Sequence, residues 1–109
     1  MTSFFQSEHV KHEMEEIMNI QSELYKVIAE FPLMSDDAKW HHIETIKELL
    51  EKQQIMWTRI RLSDDPEAKK MKENLIKGSK DMGFGDADLG QIFTNMKTTM
   101  EQMQKSLRK

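Results

Sequence analysis

Apolar residues recur at alternating steps of three and four over most of the chain. The clearest run lies between Ser35 and Leu62, where Ile43, Ile46, Leu50, Gln53, Trp57 and Ile60 share one face of a helix. His42, Leu49 and Met56 widen that face. A stripe of this width predicts a helix packed on two or more neighbours rather than a single coiled-coil seam. Ser35 stands as its N-cap. Asp36 and Asp37 put negative charge at the start of the helix dipole, and Arg59 and Arg61 put positive charge at its end. At about 1.5 Å per residue such a helix spans roughly 40 Å, longer than a compact chain of this length is wide.

A second run precedes it. Ser7 and Glu8 open a helix whose seam is Val10, Met14, Ile17, Gln21, Leu24, Ile28 and Phe31, and Pro32 closes it because the residue before a proline is pushed out of the α region. The link FPLMS is short, so the two helices form an antiparallel hairpin in which facing residues have numbers summing to about 67. Gln21 and Gln53 interrupt the apolar seams and are expected at half-wet seam edges. The sharper alternative is that they meet across a subunit boundary and fix register.

After the hairpin, Asp65 followed by Pro66 is a specific start signal for a short third helix with Ala68, Met71 and Leu75 inward and Gly78 at its end. The glycine-rich stretch GSKDMGFGDA, residues 78–87, reads as a hinge that holds Phe84 against the core. It lacks the preceding strand of a phosphate loop, Asp86 and Asp88 would repel an anion, and the ligand spacing of an EF-hand is missing. Asp88 and Gln91 have the spacing of a capping box, with Ala87 and Ile92 as its staple. The last helix carries Leu89, Phe93, Met96, Met100, Met103 and Leu107 on one face and Thr, Asn, Gln and Lys on the other. The pattern thus predicts a single all-α domain over residues 1–109. It is an elongated bundle made of a long antiparallel hairpin, a short third helix and an amphipathic C-terminal helix.

Composition agrees. Hydrophobic residues make up 38% and charged residues 32%, and Val occurs only twice, which disfavours sheet. The absence of Cys removes disulfides, thiolate metal sites and Cys nucleophiles together. The beginning has no signal-peptide pattern and no run approaches 18 apolar residues, so a soluble cytoplasmic protein without membrane contact is expected. The net charge of −3 is unevenly spread, with residues 7–31 at −4 and residues 89–109 at +3. That asymmetry suits two helices facing each other or an oriented assembly, and it makes a weak footprint for nucleic acid.

Three stretches taken together resemble a known family: SFFQSEHV at the start, RIRLSDD at the close of the second helix and QIFTNMKTTMEQMQKSL at the end. The family is a small group of helical proteins of cyanobacteria and their phages, and the resemblance runs in the same order over most of the chain, with residues 32–42 departing from it. It implies an all-helical cytoplasmic protein and assigns no catalytic residue.

The residues themselves give no enzyme. His9 with His12 and His41 with His42 form two clusters that the hairpin holds about 21 Å apart, and the Glu-x-x-His pairs of a di-iron bundle are missing, so the histidines are expected at the surface and no metal or cofactor is expected. No Ser or Thr has a His and a strained elbow beside it. The expected role is that of a non-enzymatic protein-binding module. It would act as a homo-oligomer, most simply a dimer, and bind a host protein through Phe4, Phe5, Met96, Met100 and Met103, which are apolar, adaptable and near the termini. The competing reading is that Phe4 and Phe5 cap the hydrophobic end of their own bundle. The alternative is a nucleic-acid or transcription-complex accessory that uses the basic last helix.

Overall fold

Four α-helices make up the structure, a computed structural model that describes residues 4–85 and 88–107. They are α1 (Glu8–Val27), α2 (Asp36–Leu62), α3 (Pro66–Asp81) and α4 (Leu89–Leu107), with short 3-10 turns at Phe4–Gln6 and Ile28–Leu33. No strand occurs among the described residues. The molecule is elongated, 51 × 31 × 20 Å. The all-α reading of the sequence holds.

The Ser35 hydroxyl starts α2 by accepting the Ala38 N–H at 3.2 Å, and the 27 residues that follow run unbroken to Leu62. α2 is the axis on which the other helices pack, while α1 and α4 make little contact with each other. α1 runs antiparallel to it, tied by Glu16 to Lys52 and by Glu13 to Arg59, both at 2.7 Å. These pairs have numbers summing to 68 and 72, close to the register counted outward from the turn. α4 is antiparallel as well: the Gln54 amide donates to Thr94 Oγ1 at 3.0 Å, and Gln104 lies against Glu44 and Trp40 at the far end. Val10, Met56, Trp57 and Ile60 form the core cluster, ringed by Phe4, Phe5, Met14, Ile17, Met71, Leu89 and Phe93.

Several local expectations need correction. Ser7 precedes α1 in an extended conformation, but its hydroxyl makes no capping bond. α3 passes through Gly78 and ends three residues later than Gly78 at Asp81. Its stop is Gly83, whose φ of 94° is the left-handed conformation that glycine adopts without a Cβ clash. The Phe84 N–H bonds back to Ser79 O and the Gly83 N–H to Lys80 O, the double closure of a Schellman end. Phe84 is not held against the core, because its ring is 45% exposed. Gln91 turns forward to Asn95 at 3.0 Å instead of back to a cap, and Ala87 of the expected staple lies outside the described residues.

Burial bears out the place of His42 on the apolar face of α2 but departs from two other expectations. His42 is not a surface histidine: it is 8% exposed, near Leu24, Lys26 and Val27, with its ring 5.4 Å from that of Phe31. Gln104, read as part of the outer polar face of α4, is 6% exposed and faces α2. Its amide nitrogen donates to Glu44 Oε1 at 2.8 Å and to the Trp40 carbonyl at 3.2 Å, and its Oε1 accepts from Lys47 at 3.0 Å. Lys47 also reaches Glu44 at 3.1 Å, closing a ring of three side chains. The Gln104 amide, followed by the Lys47 ammonium, holds the Glu44 carboxyl below its ordinary range.

Truncating this buried amide leaves the Trp40 carbonyl and the Lys47 ammonium without it. Gln104→Ala should lower stability by about 1 to 3 kcal/mol in urea unfolding. Gln102→Ala, at an exposed position on the same helix, should change it little.

Candidate functional site

The chain begins by folding back on itself. Phe4 and Phe5 are half-buried against the core cluster, their rings edge to face at 5.0 Å. The Phe4 N–H donates to Asp65 Oδ2 at 2.8 Å, while the other oxygen of the same carboxylate accepts the Glu67 N–H at 2.8 Å and caps α3. One side chain therefore ties the start of the chain to the start of α3. The Asp-Pro signal marked the cap, but nothing in the local sequence marked its second partner, 61 positions away.

These hydrogen bonds, the Phe4 amide foremost, hold the Asp65 carboxyl below its ordinary value of 3.8. Because the folded pKa lies below the unfolded one, the stabilisation is complete above that value and is lost as pH falls through the folded pKa. The urea midpoint should therefore fall on acidification from about pH 5 to pH 2, and Asp65→Asn should lack part of that fall.

Between α1 and α4, over the face of α2 that neither covers, lies an apolar groove of about 300 Å³. Gln53, Met56, Trp57 and Ile60 form its floor, Met14, Ile17, Met18 and Gln21 one wall, and Leu89 and Phe93 the other. Met71 and Leu75 of α3, with Phe5, close it near Ile60. Gln21, on the α1 wall, and Gln53, in the floor, are both half-buried and line the same groove, so each is partly wet, while Gln53 lies within the α2 face rather than at its edge. Trp57 Nε1 is buried without a hydrogen-bond partner among the described residues.

The groove separates the residues proposed from sequence as a single binding surface. Met96 and Met103 are 44% and 39% exposed on α4, with Met100 half-buried beside them, and none of the three lines the groove, whose α4 wall is Leu89 and Phe93. Phe4 and Phe5 belong to the closed end and the core. Missed at the sequence level were Met18 and Tyr25, which stand 64% and 76% exposed on α1. Their signal was present, since both lie one position beyond a seam residue.

Charge gathers on the opposite side of α1. His9 pairs with Glu13 at 3.1 Å and His12 with Glu16 at 2.6 Å, around a small recess shared with Lys52 and Ile55. The Lys52 ammonium, by hydrogen bond and charge, holds the Glu16 carboxyl below its ordinary range, and Glu16 in turn raises Lys52. With both carboxylates engaged by cations of α2, the recess is a register clamp between the helices. Among the described residues no group of three or more His, Asp or Glu is arranged to hold a metal ion, and no helix is long and apolar enough to cross a membrane.

Since both rings pack on the core, Phe4→Ser combined with Phe5→Ser should cost about 2 to 4 kcal/mol. Thermal unfolding followed by circular dichroism would show it; an unchanged melting temperature would mean that the rings contribute no stability.

No curated protein and no solved structure matches the chain. A family described as a domain of unknown function, DUF1825, matches residues 2–107. With nearly the whole length covered, the chain belongs to the DUF1825 family.

Proposed function

We propose that the protein is a non-enzymatic protein-binding accessory module of a cyanobacterium or its phage, acting as a homo-oligomer and docking protein through the groove between α1 and α4. The observation that carries this reading is the groove's apolar lining, together with exposed methionines on the two helices that wall it. Met18, Met96 and Met103 are long, unbranched and exposed, and such side chains adapt to an incoming surface without a fixed rotamer. α1, α2 and α4 resemble three helices of a four-helix bundle whose fourth place is taken by α3 over only part of its length. A groove of this kind accepts the apolar face of a helix. Support for the setting comes from the three resembling stretches at the start, middle and end of the chain.

Replacing Met96 and Met103 together by Lys puts two charges on α4 at positions already exposed, so the fold should persist with an unchanged urea midpoint. Association with bound protein, including the protein's own oligomer, should fall at least tenfold in pull-down and light scattering. Associations that survive the double substitution would place docking elsewhere. Recovery that disappears on nuclease treatment would favour the nucleic-acid alternative.

A further inference from the structure

We propose that the closed end of the groove binds a small neutral molecule, largely apolar and carrying a hydrogen-bond acceptor such as a ketone oxygen, to which the Trp57 indole N–H donates. The site goes beyond the docking of a protein on the groove and does not depend on it, because it concerns the lining itself and is tested on the isolated chain.

Size and lining set the class of molecule. A volume of about 300 Å³ lies at the small end of ligand sites in proteins. Among the described residues, none that lines the groove is charged, and the side-chain nitrogens and oxygens it holds are the amides of Gln21 and Gln53 and the indole nitrogen of Trp57. An ionised carboxylate or ammonium would leave water here without a counter-charge, which protein interiors accept only when the charge is paired. The molecule is therefore neutral.

The indole selects the acceptor. Trp57 is 5% exposed, and its Nε1 is buried without a hydrogen-bond partner among the described residues. Buried N–H groups nearly always have a partner, and one without it has given up its hydration for nothing in return. An indole nitrogen only donates, so whatever satisfies it is an acceptor. The other buried polar atom in this state among the described residues, Ser79 Oγ, does not line the groove. Trp57 stands about one helical turn from Ile60, where Phe5, Met71 and Leu75 close the groove, so an apolar body seated at that end lies against the indole. Met14, Met56 and Met71 line the same space, and their unbranched side chains shift to admit an oxygen to the buried nitrogen. Gln53, one turn to the other side of Trp57, gives the open side a neutral donor and acceptor.

Acetophenone and ethylbenzene share one carbon skeleton and differ by a ketone oxygen, so the pair separates the acceptor from the apolar body. Titrated into the unmodified protein, acetophenone should move the Trp57 indole N–H signal downfield in proton–nitrogen correlation spectra, and ethylbenzene should bind without that shift. Trp40→Phe assigns the signal, since it removes the other of the two tryptophans and Trp40 does not line the groove. Trp57→Phe keeps an aromatic ring and loses the donor. In that protein the ratio of acetophenone to ethylbenzene affinity should fall about three- to tenfold, the cost of taking the ketone out of water being common to both proteins. If Trp57→Phe does not fold, the shift in the intact protein decides alone. Failure of both compounds to bind, an indole signal that acetophenone leaves in place, or an unchanged affinity ratio would overturn the proposal. Protein association, read with Met96→Lys and Met103→Lys, is decided separately from all of these outcomes.

Discussion

The apolar face of α2 is wider than one neighbouring helix can cover, and the rest of the structure follows from that constraint. A helix contacts a neighbour over a limited arc, so a face running from His42 and Met56 round to Leu50 and Trp57 calls for packing on both flanks. α1 takes one flank and α4 the other, both antiparallel to α2. The middle of the face, with Gln53 in it, is left as the floor of a groove. The turn at Ser63 to Asp65 sends α3 back over the C-terminal end of α2, where it contributes Ala68 and Met71 to the interior.

Hydrophobic packing is non-directional, and a chain with ten methionines has many ways to fill an interior. A few polar contacts restrict those ways here. Glu13 with Arg59 and Glu16 with Lys52 fix how far α1 slides along α2. Gln104, held by Glu44, Lys47 and the Trp40 carbonyl, fixes which side of α4 turns inward. That choice matters because the apolar face of α4 is wider than its contact with α2. Turning Gln104 in leaves Met96 and Met103 exposed. Asp65 does the same for the ends of the chain, joining the Phe4 amide to the cap of α3 and so closing the groove at its Phe5 end.

With Gln104 turned to α2, the apolar side chains of Met96 and Met103 on the same helix face solvent. The opposite side of α1 is occupied by ion pairs, which leaves the groove side as the apolar one.

What the sequence determined alone was everything set by local chemistry and period. Helix positions follow from the three-and-four spacing, their starts from Ser35 and from Asp65 with Pro66, and the hairpin register from the short turn. Local signals also misled where two of them competed. Gly78 and Gly83 could each end α3, and the tertiary structure used Gly83, where the left-handed backbone closes two hydrogen bonds. Only the tertiary structure decided the rotation of α4, the neighbour that covers His42 and the second partner of Asp65. Each depends on residues from 11 to 64 positions apart, and a periodic pattern records which residues share a face but not which helix that face will meet.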